Sequence, residues 1–179
     1  MYNIDMNTIY RIFIMYEKRI NIYSYGGKTM KITISEEDIN NAESSNLINE
    51  LSEQLRSITG NDGKSSFKKE DMSNERSIFV VARDLNGEAL GCGALRYYTN
   101  ETAEIKRMYV RKKSSGIGSK ILNFLEIKAK EFKYKKIILE TRVINKRAVN
   151  FYKQNGYNTT DNYGKYVGRT EAVCFDKNI

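Results

Sequence analysis

The sequence of 179 residues lacks histidine, proline and tryptophan, and it contains only two cysteines, Cys92 and Cys174. Without histidine, the chain cannot form a Ser-His-Asp triad, a Cys-His dyad or an HExxH zinc site. Two cysteines are too few for a four-cysteine zinc site, and we expect no bound metal. Because the chain shows no export signal, we expect two reduced thiols buried in strands, with no nucleophilic role.

Long apolar runs are also lacking. No stretch approaches the roughly 18 apolar residues of a membrane span, and the N-terminus has no basic region followed by an apolar core, as a secretory signal would. We therefore expect a cytoplasmic protein without a membrane partner. The 30 Lys and Arg exceed the 22 Asp and Glu, which gives a net charge of +8. This charge favours an anionic partner, whether nucleic acid, anionic lipid or a phosphorylated small molecule.

The segment 1–29 is rich in tyrosine and isoleucine and lacks clean periodicity. Its two apolar runs, Ile12–Tyr16 and Ile20–Tyr25, are predicted to pair as a hairpin. The residues just before Met30 could be encoded by purine-rich codons that resemble a ribosome-binding sequence. Two interpretations stay open: a natural start at Met30, or a genuine N-terminal extension.

Apolar periodicity and turn residues predict one domain over residues 30–179. A helix is expected to begin at Ser35, which can cap an acidic first turn, and to end at Gly60. Asn86-Gly87 is the strongest hairpin signal in the sequence. The other expected elements are strands at Met30–Ile34, Ser77–Asp84, Ala89–Tyr98, Ala103–Val110, Lys136–Thr141, Tyr157–Thr160 and Glu171–Asp176, and helices at Ser115–Phe132 and Asn145–Gly156. The order β-α-β-β-β-α-β-α-β-β indicates an α/β (α+β) fold.

Gly116-Ile117-Gly118 lies where a predicted strand meets a predicted helix. Glycine allows close approach to the backbone, and the first N–H groups of a helix are unpaired, so this junction can hold an anion. Basic residues surround it in the sequence: Lys106, Arg107, Arg111, Lys112 and Lys113. The spacing fits neither a dinucleotide fingerprint nor a Walker loop. The alternative is a glycine turn beside a solvated run of charge.

Three ordered segments resemble the GNAT superfamily of N-acetyltransferases, and the similarity extends from Lys31 to the C-terminus. The segments are EIKRMYV at 104–110, GIGSKIL at 116–122 and NKRAVNFYKQNGY at 145–157. The resemblance implies the GNAT fold, a mixed central sheet of about six to seven strands with an antiparallel N-terminal meander and flanking helices. It further implies acetyl-CoA as co-substrate and direct transfer to an amine of a small molecule or peptide. A homodimer is a common assembly in the family.

The resemblance also implies which residues contact acetyl-CoA. Strand backbone would bind the pantetheine arm, as an added strand binds a sheet edge. The implied contacts are Met108, Tyr109, Val110, Lys113, Ser115, Gly116, Ile117, Gly118, Ser119 and Asn145. Lys113 stands where the family usually has Arg or Gln, and the turn is about two residues shorter than usual. Lysine supplies charge but not forked hydrogen bonds, so we leave open whether this turn binds CoA more weakly than is usual in the family.

Acetyl transfer needs a group that removes a proton from the amine, since a lysine-like amine has a pKa of about 10.4. Glu104, on the strand that leads to the glycine turn, is our candidate base, because some family members carry their base at the matching position. The alternative is a strand-surface carboxylate paired with Arg96 or Arg107. Glu140 and Glu171 are the reserve candidates.

Tyr152 lies in the Phe-Tyr pair where the family commonly places the tyrosine that protonates the departing thiolate. The alternative for Tyr152 is a tyrosine that simply packs on the sheet. Acceptor contacts are expected from Tyr163, Tyr166 and Arg169, with the first helix and the loop 61–74. An arginine, Arg96 or Arg107, could bind a carboxylate of the acceptor.

Two other functions stay open. The first is a basic nucleic-acid-binding module, which the charge permits, although the sequence contains no RNP-like strand or recognition-helix motif. The second keeps the fold and CoA binding without catalysis, and the shortened turn is its main support. We favour the acetyltransferase and expect no nucleic-acid partner.

Overall fold

The computed structural model describes residues 20–25, 28–112 and 116–179. Its helices are α1 (Ala42–Thr59), α2 (Ile117–Glu131) and α3 (Lys146–Gln154). Its strands are β1 (Ile20–Tyr25), β2 (Lys28–Glu36), β3 (Ile78–Arg83), β4 (Ala89–Tyr97), β5 (Thr102–Val110), β6 (Lys136–Arg142), β7 (Asn158–Thr160) and β8 (Ala172–Asn178). Among the described residues, no helix is both long enough and apolar enough to cross a membrane.

The strands form one sheet of eight in the order β1-β2-β3-β4-β5-β6-β8-β7. Strands β1 to β5 are an antiparallel meander, β5 and β6 run parallel, and β6, β8 and β7 are again antiparallel. This mixed sheet with flanking helices confirms the predicted fold class. The eighth strand is β1, which adds an edge beyond the six or seven expected.

Strand β1 coincides with the second run of the predicted N-terminal hairpin. Ile20–Tyr25 pairs with β2, from Ile20 opposite Thr33 to Tyr25 opposite Lys28. The run Ile12–Tyr16, predicted as its partner, lies outside the described residues. Two residues separate β1 from β2, and a connection of that length is the commonest one in hairpins.

The predicted start of the first helix is wrong. Ser35 belongs to β2, where it pairs with Val81, because the ladder to β3 outweighs a local capping preference. Helix α1 instead begins after Asn41, whose side chain accepts a hydrogen bond from the Ser44 N–H at 2.7 Å. Its predicted end is confirmed, since Gly60 caps α1 with φ +73°.

Alternating residues of β3 divide the core between the two faces of the sheet. Ile78, Val80 and Ala82 pack with α2 and α3 in one cluster. Phe79 and Val81 pack on the other face, in a cluster that includes residues of α1. Helices therefore cover both faces of the sheet at β3.

Candidate active site

The sheet divides between β5 and β6. These parallel strands are paired only from Thr102 opposite Lys136 to Glu104 opposite Ile138. Both strands are fully described, and beyond Glu104 they share no ladder pair. The second half of β5 therefore has a backbone edge that is not used by β6. Such an edge can accept an extended ligand as an added strand.

A β-bulge lies in this half of β5. The ladder to β4 shifts register between Cys92 and Ala94, so that Arg107 and Met108 of β5 lie opposite the single residue Gly93. Arg107 has φ +54°, in the left-handed region that non-glycine residues seldom adopt. A side chain at position 93 would bring its Cβ within 2.7 Å of the Met108 sulfur, so this site requires glycine.

The N-terminus of α2 faces the same opening. Gly116 has φ +74° and provides no side-chain cap, so the first N–H groups of α2 have no capping side chain among the described residues. Gly118 and Ser119 line the opening, whereas the Ile117 side chain is buried in the core and only its backbone could contact a ligand. The close approach to Phe151, 3.3 Å from a Cβ built at position 118, explains the second glycine. This geometry suits an anion.

Three of the five basic residues predicted to surround the glycine turn have their partners elsewhere, which corrects the expectation for Lys106, Arg107 and Arg111. Arg111 binds Glu50 of α1 with Nη2–Oε1 at 2.7 Å. Lys106 is held by Glu104, and Arg107 donates to a backbone carbonyl of the loop after α1. Strand geometry causes the difference, because neighbours in sequence point to different faces and different partners. Lys113 and Ser115 lie outside the described residues.

A cavity of about 920 Å³ joins these features. It extends along β5 from Ile105 to Val110 and past the N-termini of α2 and α3 to α1 and the loop 61–66. Predicted site residues that line it are Met108, Tyr109, Val110, Gly116, Gly118, Ser119, Asn145 and Tyr152. The structure therefore brings together most of the described residues that the resemblance assigned to acetyl-CoA.

Asn145 caps a helix and also lines the cavity. Its side-chain Oδ1 accepts a hydrogen bond from the Ala148 N–H at 3.2 Å and so caps α3, as predicted. The same residue lines the cavity. A contact with the pantetheine arm is therefore compatible with the cap, and it stays a prediction.

Glu104 is fully buried and does not line the cavity. Its carboxylate accepts hydrogen bonds from Arg96 Nε at 2.7 Å and Tyr163 Oη at 2.7 Å, and its Oε1 lies 2.7 Å from Lys106 Nζ. This is the ion pair with Arg96 that the sequence left as the alternative, and no such pair forms with Arg107. The role of Glu104 as base stays a prediction, but an amine in the cavity would meet Lys106 first.

Glu140, a reserve candidate, does line the cavity. Burial raises the pKa of its carboxyl above the ordinary value, while Lys106, Arg142 and a hydrogen bond from Tyr166 oppose that rise. A carboxyl with a raised pKa holds a proton more readily near neutral pH, which suits a general base. Glu171 also lines the cavity, at the exposed side.

Tyr152 on α3 lines the cavity and is 7% exposed. Its ring packs edge-to-face on Phe151 and Tyr157, at centroid distances of 5.1 and 5.9 Å. Burial, and then the charge of Glu140, raise the pKa of its hydroxyl, so Tyr152 is neutral at physiological pH and keeps its proton to donate. The ring of Tyr152 thus packs as the alternative predicts. Tyr152 also lines the cavity, which is the position that a proton donor to the thiolate needs.

The acceptor side of the cavity matches the expected elements in part. Residues of α1, the loop after it, Tyr166 and Arg169 all line the cavity. Tyr163 does not, because its hydroxyl is turned to Glu104 and its ring packs between Tyr98 and Tyr166. Arg96 also lies outside the lining, so Arg107 is the arginine of the predicted pair that faces the cavity.

Sequence reasoning missed several charged residues of the cavity, namely Arg142, Arg147 and Lys165. Arg142 is the last residue of β6 and lies two positions after Glu140. Because side chains two positions apart on a strand point to the same face, the strand pattern could have predicted that Arg142 lies beside Glu140. Arg147 lies within the segment 145–157 that carries the resemblance. Among the described residues, the cavity lining contains six basic and two acidic side chains.

Comparison with known proteins agrees with this fold and site. The chain belongs to the acetyltransferase (GNAT) family, whose family model matches residues 45–157. A Xenopus tropicalis protein assigned as N-acetyltransferase 14 is 34% identical over 108 residues, which cover 59% of this chain and 52% of that protein. The chain thus matches about half the length of that relative. Family membership supports acetyl-CoA-dependent N-acetyl transfer and does not favour nucleic-acid binding.

Solved structures share the fold. A Klebsiella pneumoniae protein assigned as an acyl-CoA N-acyltransferase superposes with TM-score 0.69 at 27% identity, over 82% of this chain and 97% of that one. A GNAT family acetyltransferase from Elizabethkingia anophelis, solved with acetyl-CoA bound, gives TM-score 0.62 at 20% identity, over 83% of this chain and 98% of that one.

Proposed function

We propose that this protein transfers the acetyl group of acetyl-CoA directly to an amine of a small molecule or peptide. One observation carries the proposal: the edge of β5 that β6 does not use and the N-terminus of α2, which no described side chain caps, open onto the same cavity. The first supplies N–H and C=O groups for an extended amide chain, and the second supplies N–H groups for phosphates. A pantetheine diphosphate needs both.

The residues present fit acetyl-CoA. Met108, Tyr109 and Val110 would bind its pantetheine amides through the backbone, and Asn145 at the start of α3 lines the same cavity. The first turn of α2 would hold its diphosphate. Gly116 and Gly118 leave the backbone of that turn accessible, and a Cβ built at position 116 meets nothing within 4 Å.

Direct transfer forms a C–N bond and breaks the C–S bond of the thioester, so one proton must leave the amine and one must reach the thiolate. Glu140 is our proposal for the group that takes the amine proton, directly or through water, because its carboxyl borders the cavity. Glu104 would then be a positioning residue, which holds the ammonium of Lys106 in place near Glu140.

Tyr152 is our proposal for the proton donor to the thiolate. A tyrosine hydroxyl that burial keeps neutral is a suitable donor to a thiolate that forms in the same buried space. The rest of the reaction depends on positioning, since both substrates must be aligned within one cavity. A cytoplasmic location and a homodimer stay predictions of the sequence.

Calorimetric titration with acetyl-CoA tests the donor half of this proposal, and release of free thiol with a panel of amines tests the transfer. We expect saturable binding and thiol release that depends on the amine. Binding without release for every amine would favour a catalytically silent CoA-binding protein. Absence of binding at millimolar acetyl-CoA would reject the proposal.

A further inference from the structure

Arg107 is a buried cation that lacks an acidic partner. It is 8% exposed, and one of its Nη atoms donates to the Gly63 carbonyl at 3.2 Å, while the guanidinium lies 5.2 Å from the centroid of the Phe67 ring. Its Nε is buried and has no hydrogen-bond partner among the residues that the structure describes. Over residues 31–112 and 116–179, no carboxylate lies within 4.0 Å of the guanidinium, and nearby Asp62 is bound to Arg56 instead.

The bulge in β5 brings this cation to the cavity. Ile105 and Met108 are three positions apart, yet both pack in the core cluster against α2 and α3. In an unbulged strand, residues on one face are two positions apart. The extra residue lets two consecutive cations, Lys106 and Arg107, turn away from that cluster, and both line the cavity.

The two cations are not equivalent. Glu104 neutralises Lys106, and Tyr166 accepts a second hydrogen bond from its ammonium at 2.7 Å. Within the described part of the chain, the Arg107 guanidinium contacts a neutral carbonyl, that of Gly63, and an aromatic ring, that of Phe67. Burying a charge without a counter-ion costs free energy, and burial indeed lowers the pKa of Arg107. A guanidinium nevertheless stays charged in proteins, so this part of the cavity is electrostatically prepared for an anion.

The rest of the lining points the same way. Lys165, whose ammonium donates to the Ser65 carbonyl at 2.8 Å, adds positive charge to the same loop region that Arg107 contacts. Arg169, an exposed residue, also lines the cavity. With six basic and two acidic side chains in the lining, an acceptor that carries several positive charges would be repelled.

We propose that the acceptor is an amine that also carries a carboxylate, and that the guanidinium of Arg107, which lines the cavity, binds this carboxylate. The inference rests on the proposed acetyl transfer, whose acceptor class it names. Arginine binds a carboxylate through two parallel hydrogen bonds, which fix the orientation of the acceptor as well as its affinity. Because Glu140 lines the same cavity as Arg107, the amine of that molecule would be the group that Glu140 deprotonates.

The test compares acceptors that differ only in the carboxylate. The panel contains α-amino acids, ω-amino acids and dipeptides, each beside its carboxamide, together with a linear polyamine. We expect kcat/KM for the best carboxylate to exceed that of its carboxamide by about tenfold or more, since a hydrogen bond to a charged group is worth at least that. Arg107→Gln should abolish this preference by raising KM for the carboxylate, and Arg107→Lys should restore part of it.

Matched controls separate this effect from folding and from the donor. Lys130→Gln removes one exposed charge from the last turn of α2 and should change neither preference nor rate. Arg107→Gln should leave the Kd for acetyl-CoA and the circular dichroism spectrum unchanged. A loss of acetyl-CoA binding in Arg107→Gln would instead assign the arginine to the donor, and equal rates with acids, carboxamides and the polyamine would overturn the proposal.

Failure of the transfer reaction can be told apart from failure of this inference. If acetyl-CoA binds but no amine is acetylated, the same panel is titrated calorimetrically into the complex with CoA. Binding of an amino acid, but not its carboxamide, that is lost in Arg107→Gln supports the carboxylate site without catalysis. Equal affinity for both members of every pair, or binding of neither, overturns it.

Discussion

Lys106 Nζ lies 2.7 Å from Glu104 Oε1 and, on its other side, 2.7 Å from the Tyr166 hydroxyl. The ammonium therefore stands between a fully buried carboxylate and the cavity that Tyr166 and Glu140 line. A carboxylate placed in this way holds the Lys106 ammonium in position. Glu104 does not line the cavity whereas Glu140 does, which is why we propose different roles for the two glutamates.

The first prediction concerns Glu140. As base, it acts in its ionised form, so the rate should fall as the pH drops through its pKa. Because burial raises that pKa, this loss should occur above the ordinary value of 4.5. Glu140→Gln should lower kcat/KM about 100-fold and remove the acid limb of the pH profile. The profile is measured with an acceptor whose own amine pKa lies below the assay range.

Glu104→Gln is the matched control for that profile. This variant should retain the acid limb that Glu140 produces, even if its rate is lower because Lys106 is no longer held in place. The opposite result, an acid limb that persists in Glu140→Gln and vanishes in Glu104→Gln, would return the role of base to Glu104.

The second prediction concerns stability. Glu104→Gln leaves the charges of Arg96 and Lys106 without their buried counter-ion, so the free energy of unfolding should fall by about 3 kcal/mol or more. Urea denaturation measures this loss. Glu101→Gln, which removes an exposed partner of Lys135, should cause no measurable loss. Equal denaturation midpoints for the two variants would contradict the account of the buried pair.

The third prediction compares two tyrosines of one aromatic cluster. Tyr152→Phe should lower kcat at least tenfold, because the departing thiolate loses its proton donor. Tyr157→Phe deletes the same hydroxyl from a ring 5.9 Å away that does not line the cavity, so its kcat should be unchanged. Steady-state rates of the two variants are measured with saturating acetyl-CoA. An unchanged kcat in Tyr152→Phe would mean that Tyr152 only packs in the core.

The fourth prediction concerns the glycine turn. Gly116→Ala places a side chain at φ +74°, which costs about 1–2 kcal/mol of backbone strain. Gly87→Ala imposes a similar strain at φ +84° in the β3–β4 hairpin, also without a steric contact. Both variants should lose stability, but only Gly116→Ala should raise the Kd for acetyl-CoA, by up to about tenfold. An unchanged Kd would mean that the turn does not bind the donor.

Local signals in the sequence predicted much of this fold. Gly60 and Asn86-Gly87 act through their own backbone preferences, and the structure has the helix end and the hairpin where these residues stand. Ser35 failed as a helix start because pairing of β2 with β3 is a long-range interaction. The bulge at Arg107 was equally invisible, since it depends on how β5 pairs with β4.

The site was predictable to a similar degree. Backbone contacts along β5 and α2 follow from the order of the elements, which the motifs at 104–110 and 116–122 reveal. The partners of the Glu104 side chain do not follow from the order of the elements, because one of them, Tyr163, comes from a loop 59 residues away in the sequence. Side-chain networks of this kind decide which of two glutamates meets the substrate, and they need the folded chain.

Hydrogen exchange with and without acetyl-CoA tests the central claim most directly, because it reports which backbone amides the donor covers. We predict slower exchange in peptides that cover residues 105–110 and 116–120, with no change in residues 80–88 of the β3–β4 hairpin. Saturating acetyl-CoA that leaves both of these segments unprotected, or protects another part of the sheet, would contradict the account.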